Sequence, residues 1–123
     1  MIHNGFLHKR IIVTGGTKGI GAAIVKRFAD EGAIVVTSAR TKSADLPKGV
    51  HFITADLSTA EGVAQFADEA LAILGGVDIL VNNAGGSLPF LEGPVSIPDE
   101  AWLMALRLNF LAAVHLDHIL IPR

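Results

Sequence analysis

Short apolar runs alternate with amphipathic stretches along most of the chain. Residues 10–14, 33–38, 50–55 and 77–82 are rich in β-branched side chains and lack strict polar alternation. That pattern predicts strands covered on both faces, as in a parallel sheet. Ile20, Ile24, Val25 and Phe28 recur at helical spacing and predict a helix over 20–31 that Gly32 ends. Val63, Phe66, Ala67, Ala70, Leu71 and Leu74 predict a second helix over 59–74, stopped by Gly75-Gly76. Ser58 or Thr59 suits its N-cap, and Glu61 its first turn. Polar, broken stretches predict loops over 40–49 and over 85–98, the latter holding Pro89, Pro94 and Pro98. Asp99 then caps a final helix from 100 to about 119. The order is that of β-α-β units, which right-handed crossovers wind into one α/β sheet.

The final helix departs from amphipathicity. Trp102, Leu103, Met104, Leu106, Leu108, Phe110, Leu111, Val114 and Leu116 occupy most of its circumference. A helix apolar on all sides needs cover on all sides, and no later segment of this sequence offers it.

Composition narrows the function classes. The 123 residues suit one domain. Half are hydrophobic and 18% are charged, against a usual charged share of about 25%, so the chain is expected to fold. Net charge is −2 with no basic cluster, which argues against nucleic acid and anionic membrane surfaces as partners. The longest apolar stretch, 101–116, contains Arg107 and Asn109 and is shorter than the ~20 residues of a bilayer span. Residues 1–10 are polar and do not resemble a signal peptide, so a cytoplasmic location is expected. There is no cysteine, which excludes disulfides, thiolate metal sites and cysteine nucleophiles. His115 and His118 lie three apart on a predicted helix without a third ligand nearby, so no metal site is expected.

The strongest chemical signal is Thr14-Gly15-Gly16-Thr17-Lys18-Gly19-Ile20-Gly21. It follows a predicted strand and opens a predicted helix, the context that makes a glycine pattern a phosphate cradle. Glycine lets a diphosphate approach the backbone, and the helix N-terminus presents unpaired N–H groups and partial positive charge. A purely structural strand-to-helix turn is the bland alternative. The spacing Gly-x-x-x-Gly-x-Gly differs from the Gly-x-Gly-x-x-Gly of many dinucleotide folds, and no Gly-Lys-Ser/Thr follows.

These residues resemble the cofactor motif of the short-chain dehydrogenase/reductase family. Asn82-Asn83-Ala84-Gly85 resembles its second signature, and Asp56-Leu57 the pair that contacts adenine. Asn109 stands where the family has an active-site asparagine. The resemblance implies a Rossmann-type doubly wound parallel sheet, here with strand order 3-2-1-4, as a dinucleotide-binding domain over 1–123. It implies cofactor contacts at Gly15, Thr17, Lys18, Gly19, Ile20, Gly21, Arg40, Asp56, Leu57, Asn83, Ala84 and Gly85, and a catalytic role for Asn109.

Arg40 and Lys18 bear on the nucleotide. An acid about 20 residues past the glycines commonly binds the ribose hydroxyls of NAD, but this region reads Ser38-Ala39-Arg40. A guanidinium favours a 2′-phosphate where a carboxylate would repel it, so NADP is expected. Arg40 and Lys18 as ordinary solvated residues leave NAD open.

The family's chemistry also needs a serine and a Tyr-x-x-x-Lys pattern beyond the asparagine. The sequence has no tyrosine, its last lysine is Lys48, and every serine precedes Asn109. The expectation is therefore the cofactor-binding half of an enzyme for alcohol oxidation or carbonyl reduction, without hydride transfer by this chain alone. An open fourth strand and an uncovered final helix predict self-association. The alternatives are a non-enzymatic dinucleotide-binding or interaction module, and a truncated product without function of its own. Asn82 and Asn83 are expected to tie strand to loop by side-chain hydrogen bonds, and Asn83 also to line the cofactor.

Overall fold

A computed structural model describes residues 6–17, 19–41, 46–83 and 98–121, with the backbone alone at 102, 104, 105, 108 and 109. Four strands, β1 (Arg10–Thr14), β2 (Ile34–Ala39), β3 (Val50–Thr54) and β4 (Ile79–Val81), form one parallel sheet in the order β3-β2-β1-β4. Helix α1 (Gly19–Asp30) links β1 to β2, and α2 (Ala60–Leu74) links β3 to β4. The expected Rossmann-type order is thus the observed one.

Each strand shares its side chains between two cores, because successive residues point to opposite faces. Ile11, Val13 and Val35 pack with Val25 of α1 and, beside them, Ile24, Phe28 and Phe6. Ile12, Val36 and Ile53 pack on the other face with Val63, Phe66, Ala67, Ala70 and Leu74 of α2. Phe6 and Phe28 meet edge to face at 5.0 Å between ring centroids. Burial from both sides is why the strands read as continuous apolar runs.

Helix α2 carries both expected stop signals. Thr59, not Ser58, is the N-cap: its Oγ1 accepts from the Gly62 N–H at 2.9 Å. Gly75 closes the other end in the left-handed region, φ 76°, donating its N–H to the Leu71 carbonyl. At the N-terminal ends of the strands, Arg10 and Asp78 join β1 to β4. Arg10 donates through its backbone N–H, Nε and Nη2, at 2.8–3.1 Å. The guanidinium bonds, then the backbone bond, hold the Asp78 carboxyl down to about 2 from 3.8.

The final helix is where expectation and structure part. Asp99 is its first residue, not a cap outside it. Instead of one continuous helix there are α3 (Asp99–Leu106), a π-helical turn (Arg107–Leu111) and α4 (Ala112–Leu120). The Ala112 N–H reaches back five residues to the Arg107 carbonyl. One extra residue in a turn rotates everything after it by about 100° around the axis. After that rotation Ala112, Leu116 and Leu120 face α2 and are buried, while Leu103, Leu106, Phe110, Leu111 and Val114 remain exposed. Among the described residues the helix is covered on one side only. Among the described residues β4 pairs with β1 alone and forms the sheet edge. No helix among them is long and apolar enough to cross a membrane.

Candidate functional site

All strands being parallel, their C-terminal ends share one edge, where the chain segments after β1, β2, β3 and β4 meet. From β1 the chain proceeds through α1 on one face to β2. From β3 it returns through α2 on the other face to β4, and α4, which comes after β4, packs on α2. The helices that follow the neighbouring strands β1 and β4 thus lie on opposite faces, the switch point at which doubly wound sheets bind ligands.

The turn after β1 is built by close approach. Gly21, in the first turn of α1, sits so near the Gly15 carbonyl and the Asn83 side-chain amide that any Cβ there would overlap both. Gly19 is different: its φ of +56° is left-handed, and a Cβ would meet nothing within 4 Å. The first turn of α1 contains no acidic residue, and Ile20 beside it is 76% exposed. The helix N-terminus thus carries unpaired N–H groups and partial positive charge with no carboxylate in its own first turn to offset them. These features fit an anionic group at Gly15–Gly21.

Hydroxyls and amides from neighbouring strands hold the turn. Thr37 Oγ1 accepts from the Gly16 N–H at 2.9 Å and donates to the Val13 carbonyl at 2.7 Å. Ser38 Oγ accepts from the Gly15 N–H at 3.4 Å. From β4, Asn83 Nδ2 donates to the Gly15 carbonyl at 3.1 Å, and the Asn83 N–H to Thr14 Oγ1 at 3.0 Å. Asn82 Nδ2 donates to Asp117 of α4 at 3.0 Å. Asn83 therefore ties the end of β4 to a turn as expected, whereas the Asn82 side chain reaches helix α4 instead of a loop.

After β3, Asp56 Oδ1 accepts from the Ser58 hydroxyl at 2.6 Å and from its N–H at 3.0 Å. Those bonds, the hydroxyl foremost, lower the Asp56 pKa against the opposing effect of burial, and the Arg40 charge adds to the lowering. Leu57 is buried beneath this corner. Arg40 follows β2 and is exposed. A cleft of about 340 Å³ between the start of α2 and the π turn is lined by Ser58, Thr59, Glu61, Arg107 and His115, and shares no lining residue with the glycine turn.

Of the expected site residues, Gly15, Thr17, Gly19, Ile20, Gly21, Arg40, Asp56, Leu57 and Asn83 all follow strand ends at this one edge. Lys18, Ala84 and Gly85 lie outside the described residues. Asn109 falls in the π turn, and its side chain is outside the description. Sequence reasoning missed Thr37, and took Thr14 and Ser38 only as parts of the motif and the strand end, not as hydroxyls that hold the turn. Their signal was available: hydroxyls in strands expected to be covered on both faces need buried partners.

With this geometry in view, comparison with known proteins decides the family. Residues 9–123 match the family model described as short chain dehydrogenase. The chain belongs to that family. It is 36% identical over 126 residues to an uncharacterised oxidoreductase of Mycobacterium bovis, covering 93% of this chain and 37% of that protein. It is 43% identical over 110 residues to a probable galactose dehydrogenase of Rhizobium meliloti, covering 80% and 42%. Among solved structures it resembles an NADH-dependent reductase complexed with NAD, with TM-score 0.84 and 27% identity, covering 97% of this chain and 53% of that one. The chain therefore spans about half, or less, of the length of these relatives.

Proposed function

We propose that this chain binds a nicotinamide dinucleotide at the C-terminal edge of its sheet. The observation that carries the reading is the glycine turn leading into α1: closely packed at Gly21, open at Gly19, and free of acid in the helix's first turn. In this reading the diphosphate lies against Gly15, Thr17, Gly19, Ile20 and Gly21, where backbone N–H groups and the helix dipole oppose its charge. Asp56 receives the adenine, with Leu57 supporting that corner from the core beneath it, and Asn83, Ala84 and Gly85 flank the dinucleotide from beyond β4. Bonds from Ser58 orient the Asp56 carboxylate before any ligand arrives.

The nucleotide we infer is NADP. Arg40 follows β2 where an acid would select NAD, and with Lys18 it supplies positive charge for a 2′-phosphate. The bound nicotinamide would supply hydride exchange with an alcohol or carbonyl. This chain's residues bind and orient the dinucleotide, and Asn109 is the position proposed to serve catalysis directly. The proton-transferring tyrosine of the family has no counterpart among these 123 residues, so hydride transfer is not expected from this chain alone.

Titration of the purified chain with NADPH and NADH, followed by nicotinamide fluorescence, tests the reading. Saturable binding tighter for NADPH is expected. Arg40→Asp is expected to weaken NADPH far more than NADH; equal loss for both removes the NADP assignment, and no binding of either by the unsubstituted chain removes the proposal.

We also infer that copies of the chain associate. Leu103, Leu106, Phe110, Leu111 and Val114 are exposed along α3, the π turn and α4, an apolar surface of the kind that marks interaction sites.

A further inference from the structure

We propose that Thr37 is a positioning residue for the glycine turn, fixing which backbone groups of the turn face a bound diphosphate; this rests on the dinucleotide reading above. The turn has a choice to make that its own covalent structure does not make. Gly15 lies at φ +66° and is followed by a second glycine. Glycine enters left- and right-handed regions with similar ease, so the peptide unit between Gly15 and Gly16 can rotate at little steric cost. The N–H and carbonyl of a trans peptide point in opposite directions, so its two orientations lead the chain into α1 with different backbone groups exposed along the turn.

Two side chains select between them. The N–H of that peptide unit donates to Thr37 Oγ1 at 2.9 Å, and its carbonyl accepts from Asn83 Nδ2 at 3.1 Å. One group comes from β2 and the other from the end of β4, so the unit is clamped from both sides of β1. The Thr37 hydroxyl has no remaining freedom. It is fully buried, and its proton goes to the Val13 carbonyl at 2.7 Å, leaving its lone pairs toward Gly16. Thr37 stands directly beside Val13 in the parallel register, which carries it beneath the turn. The Gly16 N–H is thereby committed inward and the Gly15 carbonyl held toward Asn83, which sets the path of the chain into the start of α1. Thr37 need not touch the dinucleotide; it acts through the backbone it holds.

Thr37→Val keeps the shape and removes the hydroxyl, whereas Thr37→Ser keeps the hydroxyl. Affinities for NADPH and for 2′-AMP, which carries the adenosine and 2′-phosphate but no diphosphate, separate positioning from general destabilisation. T37V is expected to weaken NADPH about tenfold while 2′-AMP changes less than about twofold, because of the two buried bonds it removes only that from the Gly16 N–H lies in the turn. T37S is expected to restore NADPH binding. Val63→Ala, a core change in α2, should lower Tm without altering the ratio of the two affinities. Hydrogen exchange adds an arm that does not require T37V to fold: the Gly16 amide of the unsubstituted chain should be protected like the amides of β1. Unchanged NADPH affinity in T37V, equal loss for both ligands, failure of T37S to rescue, or an unprotected Gly16 amide overturns the proposal. A chain that binds neither NADPH nor NADH refutes the dinucleotide reading itself, whereas one that binds them and treats T37V as unsubstituted refutes only the role of Thr37.

Discussion

Replacing Gly21 by alanine tests whether the turn is packed as described. The added methyl would overlap the Gly15 carbonyl and the Asn83 side-chain amide. Neither neighbour gives way easily. The carbonyl is backbone, and Asn83 is fixed twice, through Nδ2 to that carbonyl and through its N–H to Thr14 Oγ1. Making room breaks the Nδ2 bond, a net loss of about 1 kcal/mol. Strain from the extra carbon in a filled space adds about 1–3 kcal/mol. Alanine's better helix propensity returns up to about 1 kcal/mol. The balance is a loss of about 2 kcal/mol, which for a chain of this size lowers Tm by roughly 8 °C. Gly19→Ala is the companion variant. It meets no atom, so only its left-handed backbone opposes it, at about 1–2 kcal/mol. Its methyl, however, stands in the open space assigned to the diphosphate. Thermal melts by circular dichroism and NADPH titration should therefore rank the two differently: G21A loses more Tm, and G19A loses more affinity per degree of Tm lost. A G21A chain that melts and binds like the unsubstituted one would show that Gly15, Gly21 and Asn83 are not in contact.

The remaining predictions concern the opposite end of the sheet and the exposed helix face. Because Arg10 holds the Asp78 carboxyl down to about 2 from 3.8, the folded state favours its ionised form. That contribution is complete above about pH 4 and is lost as pH falls toward 2. Asp78→Asn should lower the urea midpoint at pH 7, with the difference from the unsubstituted chain shrinking over that window; a pH-independent difference would contradict the pairing. Phe110→Glu places a charge in the exposed apolar stripe and should shift sedimentation toward the monomer, while an unsubstituted chain that sediments as a monomer at all concentrations would remove the association reading.

Much of the fold was legible in the chain because local and global preferences agreed. Strands β1 to β3 and helices α1 and α2 lie within one or two residues of the expected bounds, since glycines and caps punctuate them. β4 is shorter, three residues instead of six. Only Ile79–Val81 pair in register with Ile11–Val13, although β1 runs one residue further at each end, a limit that no property of 77–82 encodes. Hydrophobic spacing alone hid the π turn for a related reason. Arg107–Leu111 contains no helix breaker, and a helix apolar all round does not announce which face turns inward. Packing of Ala112, Leu116 and Leu120 on α2 made that choice.

The sequence by itself determined the α/β order, the glycine turn at the head of α1, the absence of an acid after β2 and the family to which these belong. Each is a local pattern, fixed by side-chain spacing and backbone freedom. Tertiary structure alone decided how the turn is held. The Thr37 hydroxyl reaches the turn because parallel pairing sets residue 37 beside residue 13, and Asn83 reaches it because β4 lies on the other side of β1. Contacts between residues so distant in sequence exist only once the sheet has closed, and they depend on strand register, which no local spacing reveals.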